Sequence, residues 1–234
     1  LGVKGVVWYL ATVTNYYPCV YHRIYMSKWD PLDLNAEDLP RLDYLTLESL
    51  EPEMKEIFTS ITNSERGVGT LSNGGLPGPF NGWMYTDPDM ARALDGIGMA
   101  VRSNTTNVPN TMKEVAICAI GAHFRSNVEF WAHSRIALAA GVRKEVLDSI
   151  YNSEEPLFLD TGEEPLQRAS YDMAVEYLET YRISDKTYQN VLDLLGSEKA
   201  MIELILVMGH YIGLATQLNI LRVPNPGNRQ YFEN

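Results

Sequence analysis

The sequence predicts an all-α protein. Two observations carry this: apolar residues recur at helical period in segments of helical length, and proline, serine, aspartate and glycine stand where those segments start and stop. A third is negative, since no run alternates apolar and polar residues long enough to read as a strand. In chain order, residues 29–47 are polar and interrupted by Pro31 and Pro40, which makes an extended lead-in. Pro52-Glu53 opens a helix over roughly 52–62, with Met54, Ile57, Phe58 and Ile61 on one stripe. Gly67 to Pro79 is a glycine-rich loop. Asp87-Pro88 starts a helix to about 103 that carries Met90, Leu94, Ile97 and Val101. After a polar turn, Pro109 begins a strongly apolar helix to about 125, and Ser126 caps another that ends before Gly141. A short helix over 144–151 and an acidic loop over 152–163 follow. Pro165 opens a helix to about 181, Ser184 caps a short one to 195, and Ser197 caps a long apolar one to about 221. The tail from Pro224 is loop.

Bulk properties narrow the function. The chain has 234 residues, 45% of them hydrophobic, enough for a sizeable core. A net charge of -11 argues against a nucleic-acid or anionic-membrane surface, both of which need basic patches. No apolar run approaches the roughly 20 residues of a membrane-spanning helix. Cys19 and Cys118 form neither a CxxC nor a disulfide framework, so a reducing, cytoplasmic compartment is expected. The first 25 residues hold Lys4 and Arg23 but no acid, while Met26-Ser27-Lys28 reads like a natural start. Residues 1–25 are therefore expected to be an extension foreign to the native domain, with a structural arm and a targeting segment as alternatives. Residues 26–234 read as one domain.

Glu114, Ser126, Glu129 and His133 stand out as a constellation. Glu129 and His133 are four apart, so one helix face presents both, and a carboxylate beside an imidazole suits proton transfer near neutral pH. Glu114 lies on the preceding helix, from which an antiparallel hairpin brings it toward His133. A purely structural account fits the same spacing. Ser126 and Glu129 match a capping box, Glu129 in the first turn complements the helix dipole, and His133 among Trp131, Ile136 and Ala137 suits a core histidine.

The segment from Glu114 through Cys118, Ser126, Glu129 and His133 to Gly141 resembles the carboxymuconolactone decarboxylase family, which includes the alkylhydroperoxidase D branch. The redox branch of that family reads Glu-x11-Cys-x2-Cys-x3-His. Ser126 and Glu129 stand here where those cysteines would be, while Glu114 and His133 keep their places. The resemblance extends to Leu50-Glu51-Pro52-Glu53, to Gly78-Pro79-Phe80-Asn81 before Asp87-Pro88, and to Gly209-His210-Tyr211, covering most of 40–224. It is nearer to fungal members than to compact bacterial ones. It implies an alkylhydroperoxidase D-like helical bundle that acts on a small molecule with no cofactor and no metal.

Without paired cysteines a thiol relay cannot run. The resemblance then implies decarboxylation of a small carboxylated lactone or polyketide-type acid, in aromatic catabolism or secondary metabolism. His133 would donate the proton, Glu129 would orient or protonate His133, and Glu114 would stand behind them. Arg125 is the expected partner of a substrate carboxylate, with Ser126 and the helix start near it. His123 and His210 are expected to line the pocket, and Phe80, Asn81 and Trp83 to form a lid. A non-catalytic oligomeric or ligand-binding protein is the main alternative, and a thiol-dependent peroxide reductase a lesser one. The helix 198–221 is apolar nearly all round and so predicts a homo-oligomer.

Overall fold

Helices begin where a residue can occupy their first, unsatisfied turn. The computed structural model describes residues 39–64 and 66–225, so the expected 1–25 extension and the end of the tail lie outside the described residues. Nine helices appear among these residues: α1 (Pro52–Thr62), α2 (Phe80–Trp83), α3 (Pro88–Ser103), α4 (Asn110–His123), α5 (Asn127–Ala140), α6 (Lys144–Tyr151), α7 (Glu164–Thr180), α8 (Asp185–Leu195) and α9 (Glu198–Ile220). Proline sits in the first turn of α1, α3 and α7, where its missing N–H costs nothing. Asp87, Ser184 and Ser197 accept from the backbone N–H groups of Met90, Thr187 and Ala200, as the capping residues promised. Gly141 ends α5 with φ 106°, a left-handed conformation open to glycine.

α4 is the axis of the bundle. Every residue from Thr111 to Gly121 is buried, because α4 packs against α5, α6, α7 and α9 at once. Met112, Ala116, Ile117 and Ile120 join a core with Met173 of α7 and Leu204 and Val207 of α9. Val115 and Cys118 join a second with Phe130, Val146 and Ile150. A third holds α1 and α2 to α3 through Ile57, Ile61, Trp83 and Ala91. Where α4 and α5 run closest, a Cβ on Gly121 would lie 3.2 Å from the Phe130 backbone nitrogen. Backbone cannot step aside as a side chain can. Gly121→Ala is therefore expected to destabilise by about 1–3 kcal/mol, lowering the thermal midpoint by several degrees; an unchanged midpoint would refute this close approach.

Three expectations need correction. The stripe of α3 is only half as expected: Val101 is buried and Leu94 packs on the core, but Met90 and Ile97 are 50% and 51% exposed, and Ala91 and Gly98 face inward in their place. Small residues win the inner face because they let α3 approach its neighbours. The lid of Phe80, Asn81 and Trp83 is instead the fixed turn α2. The buried Asn81 amide accepts from Leu45 N–H and donates to the Asp43 carbonyl, while Trp83 Nε1 donates to Gln217 at 3.0 Å. Finally, α9 does have the length and hydropathy of a membrane span. Here 44% of its apolar window is buried in the bundle, and its Glu203 accepts from the backbone and side chain of Asn107.

Candidate active site

Glu114 is the centre of the site. It lies on α4 with 1% of its surface exposed, and a guanidinium and an imidazole meet its carboxylate from different helices. Arg102, in the last turn of α3, donates to Oε1 at 2.6 Å. His133 of α5 places Nδ1 2.7 Å from Oε2. Burial pushes the carboxyl up, but His133 and then Arg102 outweigh it, so Glu114 lies below the usual carboxylate range and is ionised. An ionised carboxylate only accepts, so Nδ1 carries the proton and Nε2 is left to exchange one.

The Tyr211 ring of α9 packs edge-on against His133, with centroids 4.6 Å apart. Burial pushes its hydroxyl far up, with Glu114 and Glu129 adding to this against the pull of Arg102. Tyr211 is therefore a neutral hydroxyl facing the Arg102 guanidinium. The neighbouring His210 is pushed down by burial and then by His133 and Arg66. Arg66 pairs with Asp95 and lies over the Phe80 ring. Gly98 makes room for this group: a Cβ there would meet Arg66 Nη1 at 3.2 Å, Trp83 at 3.7 Å and His210 Nε2 at 3.9 Å.

Glu129 departs most from expectation. It is not the direct partner of His133; Glu114 holds that place. Nor does the capping box form. Ser126 occupies the N-cap position of α5, but its side chain accepts no backbone hydrogen bond. Ser126 Oγ and both carboxyl oxygens of Glu129 are buried with no hydrogen-bond partner among the described residues. Burial alone pushes the Glu129 carboxyl well above the usual range and so favours the neutral acid.

The structure thus brings together Glu114, Glu129, His133 and His210, with Ser126 buried at the N-cap of the helix that carries Glu129 and His133. It places Trp83 and Phe80 beside Arg66, and it leaves Asn81 clamping the lead-in. His123 and Arg125 are exposed on the turn between α4 and α5, with Arg125 at a left-handed φ of 51°. Two surface hollows among the described residues, one between Pro40, Tyr44 and Leu221 and one between Leu47, Lys55 and Thr59, contain no part of the cluster. Sequence reasoning missed Arg102, Tyr211, Arg66 and Asp95. The pair His210-Tyr211 was noticed, but which of two adjacent helical residues turns inward depends on the phase of α9.

Cys118 is fully buried, and burial, Glu114 and Glu129 all push its thiol up. The reactive form is the thiolate. A thiol reagent is expected to leave Cys118 unmodified in the native protein, as read by mass spectrometry of its peptide, and Cys118→Ala to keep turnover within a few-fold.

The all-α bundle has an alkylhydroperoxidase D-like fold, shown by its likeness to a solved structure. Among solved structures, the chain is similar to the alkylhydroperoxidase AhpD core of an uncharacterized peroxidase-related protein from Ralstonia eutropha JMP134. The two share 15% identity over 84% of this chain and 96% of that one, with a TM-score of 0.62. No family model matches the sequence, and no curated protein does.

Proposed function

We propose that this chain is an acid/base enzyme of carboxy-lyase type, acting on a small carboxylated lactone or polyketide-type acid. The observation that carries the reading is the hydrogen-bonded chain Arg102–Glu114–His133, with Glu114 and His133 buried, which fixes the imidazole tautomer and leaves Nε2 to move a proton. In the reaction the bond between the ring carbon and the carboxylate breaks and CO2 departs. The electron pair stays on the conjugated lactone as a dienolate. His133 in its protonated form then delivers a proton to carbon and is reloaded from solvent, so each turnover consumes one proton. Glu114 stabilises the imidazolium before transfer. For the cation that meets the substrate carboxylate, a part expected of Arg125, we propose Arg66, which pairs with Asp95 and lies beside Gly98.

A peroxide reductase is the rival that the description of the Ralstonia protein raises. The burial of Cys118 and the absence of a CxxC weigh against it. The test is CO2 release from a panel of carboxylated butenolides and aromatic polyketide acids, with peroxide turnover assayed in parallel. The reading requires CO2 release from at least one substrate; peroxide consumption alone would replace it. We also expect a homo-oligomer, because Met90 and Ile97 of α3 and Ile202, Leu206 and Ile220 of α9 are at least half exposed. Light scattering at micromolar concentration should return more than one chain's mass.

A further inference from the structure

An unpartnered polar atom inside a protein costs free energy, so two on one helix face need a reason. Ser126 and Glu129 are such a pair: 0% and 3% exposed, three residues apart on α5, with His133 four residues further along the same face. Glu129 lies within electrostatic reach of Tyr211 and Cys118, and the positive end of the α5 dipole adds to the local potential. A hydroxyl and a protonated carboxyl share one competence, which is to donate a hydrogen bond to oxygen. They form an arrangement suited to stabilising negative charge that develops on oxygen.

We propose that Ser126 and Glu129 form a two-donor seat for the enolate or phenolate oxygen of a conjugated ligand, with Glu129 about one helical turn and Ser126 about two turns from the proton-transfer position at His133. The inference rests on the acid/base reading of His133 and narrows its substrate class. Glu129 and His133 are about 6 Å apart along the helix axis. A simple enolate holds its oxygen two bonds from the carbon to be protonated, whereas a dienolate holds it four bonds away. The spacing of the seat and the imidazole suits the extended, conjugated case.

The test uses 4-nitrophenol, whose ionised form absorbs visibly, titrated into the whole protein and into the Ser126→Ala, Glu129→Leu and Lys144→Gln variants, the last an exposed site away from the cluster. The expected result is binding that enriches the phenolate band, weakened at least tenfold in Ser126→Ala and in Glu129→Leu and within threefold of wild type in Lys144→Gln. Thermal midpoints of the first two variants should hold or rise, since each removes an unpartnered polar group. The proposal is overturned if 4-nitrophenol does not bind, if the seat variants bind it as wild type does, or if either variant lowers the midpoint by more than about 5 °C, which is roughly 1–2 kcal/mol in a chain of this size and would mark a structural role. If the seat binds phenolate as expected but no carboxylated substrate releases CO2, the carboxy-lyase reading falls while the seat stands.

Discussion

His133→Gln is expected to lower turnover by about 10²–10⁴-fold, the usual contribution of a positioned acid or base, while the chain stays folded. Glutamine can still donate to Glu114, and Arg102 still holds the other carboxyl oxygen, so the buried charge is not abandoned. What disappears is the ring nitrogen Nε2, the atom assigned to carry the proton. Glu114→Gln probes the same chain from behind: the amide keeps the shape but no longer enforces the proton on Nδ1, and the rate should fall with it. It also removes the negative partner of Arg102, so stability should fall as well. Rate measurements on both variants, with circular dichroism as the check on folding, decide the matter. Full activity in His133→Gln would end the catalytic assignment.

Glu129→Gln is expected to stabilise the protein while reducing turnover at least tenfold, and the stabilisation should grow with pH. The sign follows from the raised carboxyl. Above about 4.5, its ordinary value, the carboxyl of the unfolded chain gives up its proton while the folded one keeps it. The unfolded state then binds fewer protons, so wild-type stability falls as pH rises, by about 1.4 kcal/mol per pH unit, until the folded carboxyl itself ionises. Glutamine has no such proton. Glu114, which is shifted the other way, adds stability that is present above its unfolded value and lost on acidification. It does so in both proteins and cancels in the difference. Thermal melts of wild type and variant at pH 5, 6 and 7 should therefore diverge by several degrees of midpoint in all. A difference that stays flat with pH would show Glu129 to be ionised in the fold.

The helices were legible because their signals are local. Asp87, Ser184, Ser197 and Gly141 end or begin helices where their chemistry demands it, and the stripe of α1 is buried as read. The site was legible in membership more than in roles. Glu114, Glu129 and His133 do cluster, but spacing along one helix suggested the pair Glu129–His133, whereas the bond that forms crosses between helices to Glu114. Local spacing is blind to helix rotation, which also hid the outward turn of Met90 and Ile97 and the inward turn of Tyr211. Ser126 and Glu129 fit a capping box letter by letter, yet their side chains take no part in one. Only the fold shows that their burial outweighs the pull toward the helix end.

Arg102 and Glu114 are 12 residues apart and Glu114 and His133 are 19 apart. Bringing such near neighbours together costs little loop-closure entropy. Contacts of this range tend to form ahead of those that wait for distant segments to meet. The charged heart of the site thus depends on the α3–α4–α5 stretch alone, while Tyr211 reaches it from α9 near the far end of the chain. During folding the imidazole is expected to find its carboxylate first and to be sealed from water later, when α9 docks.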